Sequence, residues 1–96
     1  MLPGIRRRLV AVGSRVMAIR VELDRGSVLP AHSHPHEQIG FVVSGRLRFN
    51  LAGETSLLQG GDGYSIPGGA NHSVEEVIED SVVVDVFSPV REEYLS

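Results

Sequence analysis

Between positions 16 and 24 apolar and polar residues alternate, with Met17, Ile19, Val21 and Leu23 on one parity and Ala18, Arg20, Glu22 and Asp24 on the other. Successive side chains of a strand leave opposite faces, so this period of two predicts a half-buried strand. The alternation returns at 38–44 and again at 46–51, where Leu47, Phe49 and Leu51 interleave with Arg46, Arg48 and Asn50. Gly45 stands between those two runs and reads as a turn, which predicts a hairpin. Further strands are predicted at 55–58, 64–66, 72–77 and 81–87, separated by Ala52-Gly53-Glu54, by the Gly-rich run 59–63 and by Pro67-Gly68-Gly69. No convincing helix-period segment interrupts them. Short strands at roughly eight- to twelve-residue spacing predict an all-β sandwich or barrel.

Two strands carry apolar residues on both faces. In 81–87, Val82, Val84 and Val86 oppose Val83, Asp85 and Phe87, and in 38–44 the row Ile39, Phe41 and Val43 opposes Val42. A small barrel buries one face of each strand, so the other is expected to meet a second copy, and the chain is read as a homodimer.

The 96 residues allow one core, so one domain is expected over 1–96, with its barrel over about 15–88 and the terminal segments packed on the barrel or on the dimer partner. No apolar run approaches the roughly 18 residues of a membrane span. The Arg-containing N-terminus is followed by no secretory apolar stretch, and a cytoplasmic, unprocessed protein is expected. Cysteine is absent and all nine basic residues are arginine, which removes thiolate ligands, thiol nucleophiles and lysine Schiff bases. A net charge of −3 argues against nucleic acid as a partner, and Arg6-Arg7-Arg8 is too short to reverse that.

The chemistry concentrates in Ala31-His32-Ser33-His34-Pro35-His36-Glu37-Gln38. On an extended strand His32, His34 and Gln38 share a face. A cage needs a donor from another direction, and His72 is the remaining histidine beyond this run. Glu37 has the opposite parity and reads as solvent-facing; His36 follows Pro35 and reads as a pocket-wall or supporting residue. Single histidines in strands are more often hydrogen-bonded or exposed than metal-bound, so spacing alone leaves ligation open.

The pattern Gly26-x5-His32-x-His34-x3-Gln38-x6-Gly45, followed after fifteen residues by Gly61-x5-Pro67-x-Gly69-x2-His72, resembles the two motifs of the cupin superfamily in order. The resemblance implies a double-stranded β-helix, or jelly roll, holding one divalent transition metal ion (zinc, nickel, manganese, iron or copper) on His32, His34, Gln38 and His72. Gln38 replaces the usual glutamate, and Glu76 an asparagine common in the second motif. A neutral amide leaves the ion its full double charge, hence a stronger Lewis acid held less tightly.

The histidine run and the segment 85–95 further resemble the pectin-degradation cupins, which help convert unsaturated uronates to linear keto forms. In that family an Asp-x-Phe-x3-Arg segment serves activity, matched here by Asp85, Phe87 and Arg91. The resemblance implies a small-molecule substrate and ketonisation, with Asp85 moving a proton, Arg91 clamping a carboxylate, and Phe87 and His36 walling the pocket. Arg46 and Arg48 would assist if their face were internal, and Tyr64 reads as structural. Two alternatives stay open: a metal-dependent dioxygenase of quercetinase type and a non-catalytic module that senses a small ligand.

Overall fold

The computed structural model describes residues 2–95; Met1 and Ser96, the end residues of the expected domain, lie outside them. Seven strands follow in chain order, β1 (Ile5–Val12), β2 (Met17–Leu23), β3 (Leu29–His32), β4 (Glu37–Leu51), β5 (Glu54–Gln59), β6 (Gly63–Ile66) and β7 (His72–Ser88), and then a 3-10 turn at Glu92–Tyr94. All pairings are antiparallel. Among the described residues no helix is long and apolar enough to cross a membrane.

The two long strands organise the molecule. The first part of β4, 37–44, pairs with 82–88 of β7; β2 and then β1 extend that sheet on one side and β6 on the other. The second part of β4, 46–51, pairs with 72–79 of β7, flanked by β5 and β3. Each long strand thus serves both sheets, and the two sheets form the all-β jelly roll. Met17, Ile19, Val42, Leu47, Ile66 and Val77, drawn from both sheets, are its most buried large side chains.

This arrangement corrects the predicted hairpin at Gly45. The runs 38–44 and 46–51 do not pair with each other but continue as one strand, as do 72–77 and 81–87. Gly45 adopts φ of +97°, and the register slips on either side of it. A single residue in that conformation forms a bulge, which shifts the inward parity by one without reversing the chain. Accordingly Gln38 and Val42 point inward before it, and Leu47 and Phe49 after it. Ser81 pins the bulge: its Oγ accepts from Arg46 N at 3.1 Å and donates to the Glu79 carbonyl at 2.7 Å. A Cβ on Gly45 would lie 2.6 Å from Ser81 Cα.

Strand β1 has no counterpart in the alternation reading, because Arg6-Arg7-Arg8 masks its period. Ile5 is nonetheless in the core and Leu9 packs against it, which puts Arg7, opposite Val21, on the same inward parity. Outside, Ile39, Phe41 and Val43 form an exposed row on β4 at 51%, 49% and 47% accessibility.

Candidate metal centre

His32 ends β3, Gln38 is the second residue of β4 and His72 opens β7, while His34 lies in the loop between β3 and β4. The expectation of one extended strand through 31–38 is corrected: the segment bends at Pro35 and His36, where proline has no N–H for a ladder. The loop is tied instead to the turn after β6, Gly69 N donating to the His34 carbonyl at 2.8 Å. Gly68 permits this close approach, since a Cβ there would strike the Pro35 carbonyl. His32 and His72 are cross-strand partners, with ring centroids 4.2 Å apart, and His34 lies 5.0 Å from His72. One donor atom from each of the three lies within 4.8 Å of the others.

The tautomers follow from the backbone. His32 Nδ1 contacts the Pro30 carbonyl at 2.9 Å, His34 Nδ1 the His36 carbonyl at 3.0 Å and His72 Nδ1 the Ala70 carbonyl at 3.0 Å. A carbonyl only accepts, so each Nδ1 carries the proton and each neutral ring keeps its lone pair on Nε2. Burial, and then the charge of Arg91, holds His34 below the ordinary imidazole range. Burial does the same for His72, aided more weakly by His32, His34 and Arg91.

The resulting array has unmet demands. His72 Nε2 is buried with no hydrogen-bond partner among the described residues, and His34 Nε2 faces the Gln38 oxygen Oε1, a second acceptor, at 3.1 Å. Facing lone pairs are unfavourable without a cation between them, so the donor set fits a divalent metal ion bound through nitrogen and one amide oxygen.

Beside the histidines, Asp85 projects inward from β7, half-buried, and accepts a hydrogen bond from the Tyr64 hydroxyl. Burial pushes its carboxyl above the usual carboxylate range; Tyr64, Gln38, Arg7 and Arg91 oppose the shift. Tyr64, held against Phe49 at a 5.1 Å centroid distance, is itself raised, chiefly by burial. Gly40 lies between Tyr64 and Asp85 in the sheet and pairs with both. A Cβ there would come within 2.5 Å of Asp85 Oδ1 and of the Tyr64 ring.

Phe87 is buried with its ring 5.7 Å from that of His34 and edge-on to it. Arg91 approaches the faces of Phe87 and Tyr94, its guanidinium carbon 5.1 and 4.7 Å from their centroids. His36 stands behind His34, 5.7 Å away ring to ring, and is not among the residues that line the cavity. That cavity, of about 50 Å³, is walled by His32, His72, Gln38, Asp85 and Phe87, with Arg7, Arg91, Tyr64 and Tyr94 also contributing. Arg46 and Arg48 face outward and pair with Glu79 and Glu76, at 3.5 and 2.5 Å. Arg7, Tyr64 and Tyr94 were not singled out as site residues. The shared parity of Ile5, Arg7 and Leu9 was the signal for Arg7; nothing local marked the other two.

A jelly roll with three histidines converging inside it defines a class. The family model described as "Cupin domain" matches residues 19–87, and the chain belongs to the cupin domain family. It is 32% identical over 93 residues to the pectin degradation protein KdgF of Dickeya dadantii strain 3937, covering 96% of this chain and 84% of that protein. The solved structure of KdgF from Halomonas sp. superposes with a TM-score of 0.91 at 41% identity, covering 97% of this chain and 86% of that one. An RmlC-like cupin from Shewanella frigidimarina NCIMB 400 gives 0.90 at 28% identity, over 96% and 82% of the two chains.

Proposed function

We propose that the protein is a metal-dependent enzyme that ketonises unsaturated uronates, its ion held by His32, His34, Gln38 and His72. The observation that carries the reading is the placement of Asp85, a carboxyl biased toward its protonated form, on the same cavity wall as the imidazole lone pairs. Similarity to the two KdgF proteins supports the substrate class. When bound, the ion supplies Lewis acidity toward a substrate oxygen.

Ketonisation of the cyclic sugar removes the proton of the anomeric hydroxyl and breaks the ring C1–O bond, leaving an aldehyde and a C5 enolate. A proton then adds to C4 as C5 becomes a ketone, so the change is redox-neutral and needs no oxidant. Asp85 gives and recovers that proton, and Tyr64 holds its Oδ1 in place through the hydroxyl bond. Phe87 and Tyr94 supply apolar walls that limit water. The reading extends to a cytoplasmic homodimer acting through a single domain, with the row Ile39, Phe41 and Val43 covered by the second copy.

The test is metal analysis together with the loss of alkene absorbance from 4,5-unsaturated galacturonate. About one ion per chain and acceleration over the spontaneous reaction are expected. Asp85→Asn should keep the ion and lose about 100-fold or more in turnover, in line with general acid–base catalysis. A loaded wild-type protein that fails to accelerate the reaction refutes the uronate reading; unchanged turnover in the variant removes Asp85 from the mechanism.

A further inference from the structure

Arg7 holds the inward parity of β1 and borders the same cavity as His32, His72, Gln38 and Asp85, while remaining solvent-exposed at the cavity mouth. Its guanidinium carbon is 5.7 Å from the centroid of Tyr94, the ring that Arg91 also approaches. Among the described residues Arg6, Arg20, Arg46, Arg48 and Arg91 each pair with a carboxylate, whereas Arg7, Arg8, Arg15 and Arg25 do not, and of these four only Arg7 borders the cavity.

The two cavity arginines differ in what they have left to offer. Arg91 presents Nε and one terminal nitrogen to Glu93, at 3.3 and 3.1 Å, so this edge of its planar group is already engaged by an anion. A carboxylate is gripped best by two parallel N–H donors. Arg7 has no such edge occupied by a carboxylate of the described residues.

We propose that Arg7 is the anion receptor of the cavity, binding a substrate carboxylate bidentately, while Arg91 is a positioning residue that sets Phe87 and Tyr94. The identity of the anion as a sugar acid rests on the uronate reading; the role of Arg7 as a carboxylate receptor does not require turnover.

The test uses the metal-loaded protein and calorimetric titration with galacturonate and with its neutral methyl ester. Wild type should prefer the acid, and Arg7→Gln should weaken the acid by about 10- to 100-fold, the worth of a charged hydrogen-bond pair. Ester affinity and metal content should stay unchanged. Arg7→Lys should recover part of the loss, because a point charge remains without the fork. Retained acid affinity in Arg7→Gln, equal loss for acid and ester, or no wild-type preference for the acid would each overturn the assignment. Turnover of the unsaturated sugar is scored separately: acid preference through Arg7 without turnover refutes ketonisation and leaves the receptor standing.

Discussion

Replacing Gly40 by alanine probes the core of the site with one methyl group. The added carbon would lie 2.5 Å from both Asp85 Oδ1 and Tyr64 Cζ, so these neighbours must retreat by about 1 Å to reach ordinary contact. Neither can do so freely, since Tyr64 packs on Phe49 and Asp85 sits within the long strand β7. Overpacking of this kind costs about 1–3 kcal/mol. Gly40 has no positive φ, so alanine returns about 0.4–1 kcal/mol through the unfolded chain. The net loss is roughly 1–2 kcal/mol, or about 5–15 °C in melting temperature for a domain of this size. Thermal melts by far-ultraviolet circular dichroism measure the first effect. The second is a drop in turnover of at least about tenfold at unchanged metal content, as the Tyr64–Asp85 bond is forced apart. A variant that melts with the wild type and keeps its activity would show that the two side chains do not close on Gly40, and the account of Asp85 positioning would fail with it.

His72→Ala should remove stoichiometric metal while the chain stays folded, measured by metal analysis after gel filtration; full retention would overturn the ligand assignment. A pH prediction concerns the metal-free protein. Depressed His34 and His72 stay neutral in the fold while the unfolded chain takes up protons below about pH 6.5, so their contribution is complete above that value and is lost progressively as the pH falls from there through their depressed folded values. Asp85 acts in the opposite sense, its raised pKa favouring the protonated fold on acidification. Urea unfolding of the metal-free Asp85→Asn protein should therefore give lower stability at pH 5 than at pH 7.5, and a flat profile would contradict the burial of the two rings.

The alternation of apolar residues was enough to locate β2 and the second part of β4, and short apolar runs between Gly- and Pro-containing turns located the first part of β4 and both parts of β7, although the inward positions 72, 74 and 77 break the period of two. It could not say whether Gly45 reverses the chain or bulges it. The contacts at the bulge include Ser81, thirty-six residues away, whose hydroxyl accepts from Arg46 N just after Gly45 and donates to the Glu79 carbonyl on its own strand. Strand β1 was illegible for the opposite reason: Arg7 occupies an inward-parity position where the period calls for an apolar residue. The histidine spacing pointed to residues that do converge, but through a loop bent at Pro35 rather than along one strand. Tyr64 carried no mark in sequence, since its role comes from pairing across β4 to Asp85.

The position of β7 bears on how the protein is made. This strand is the common neighbour of β2, β3 and β4, and it brings His72, Asp85 and Phe87 with it. A nascent chain that has released everything before residue 72 can form β1 with β2 and β4 with β5 and β6, yet the surfaces those pairs leave open have no cover. Closure waits for β7, and most of the contacts it forms span long stretches of chain, which slows folding. The exposed row on β4 and the bare edge of β2 are therefore hazards of synthesis, when neighbouring chains compete for the same edges.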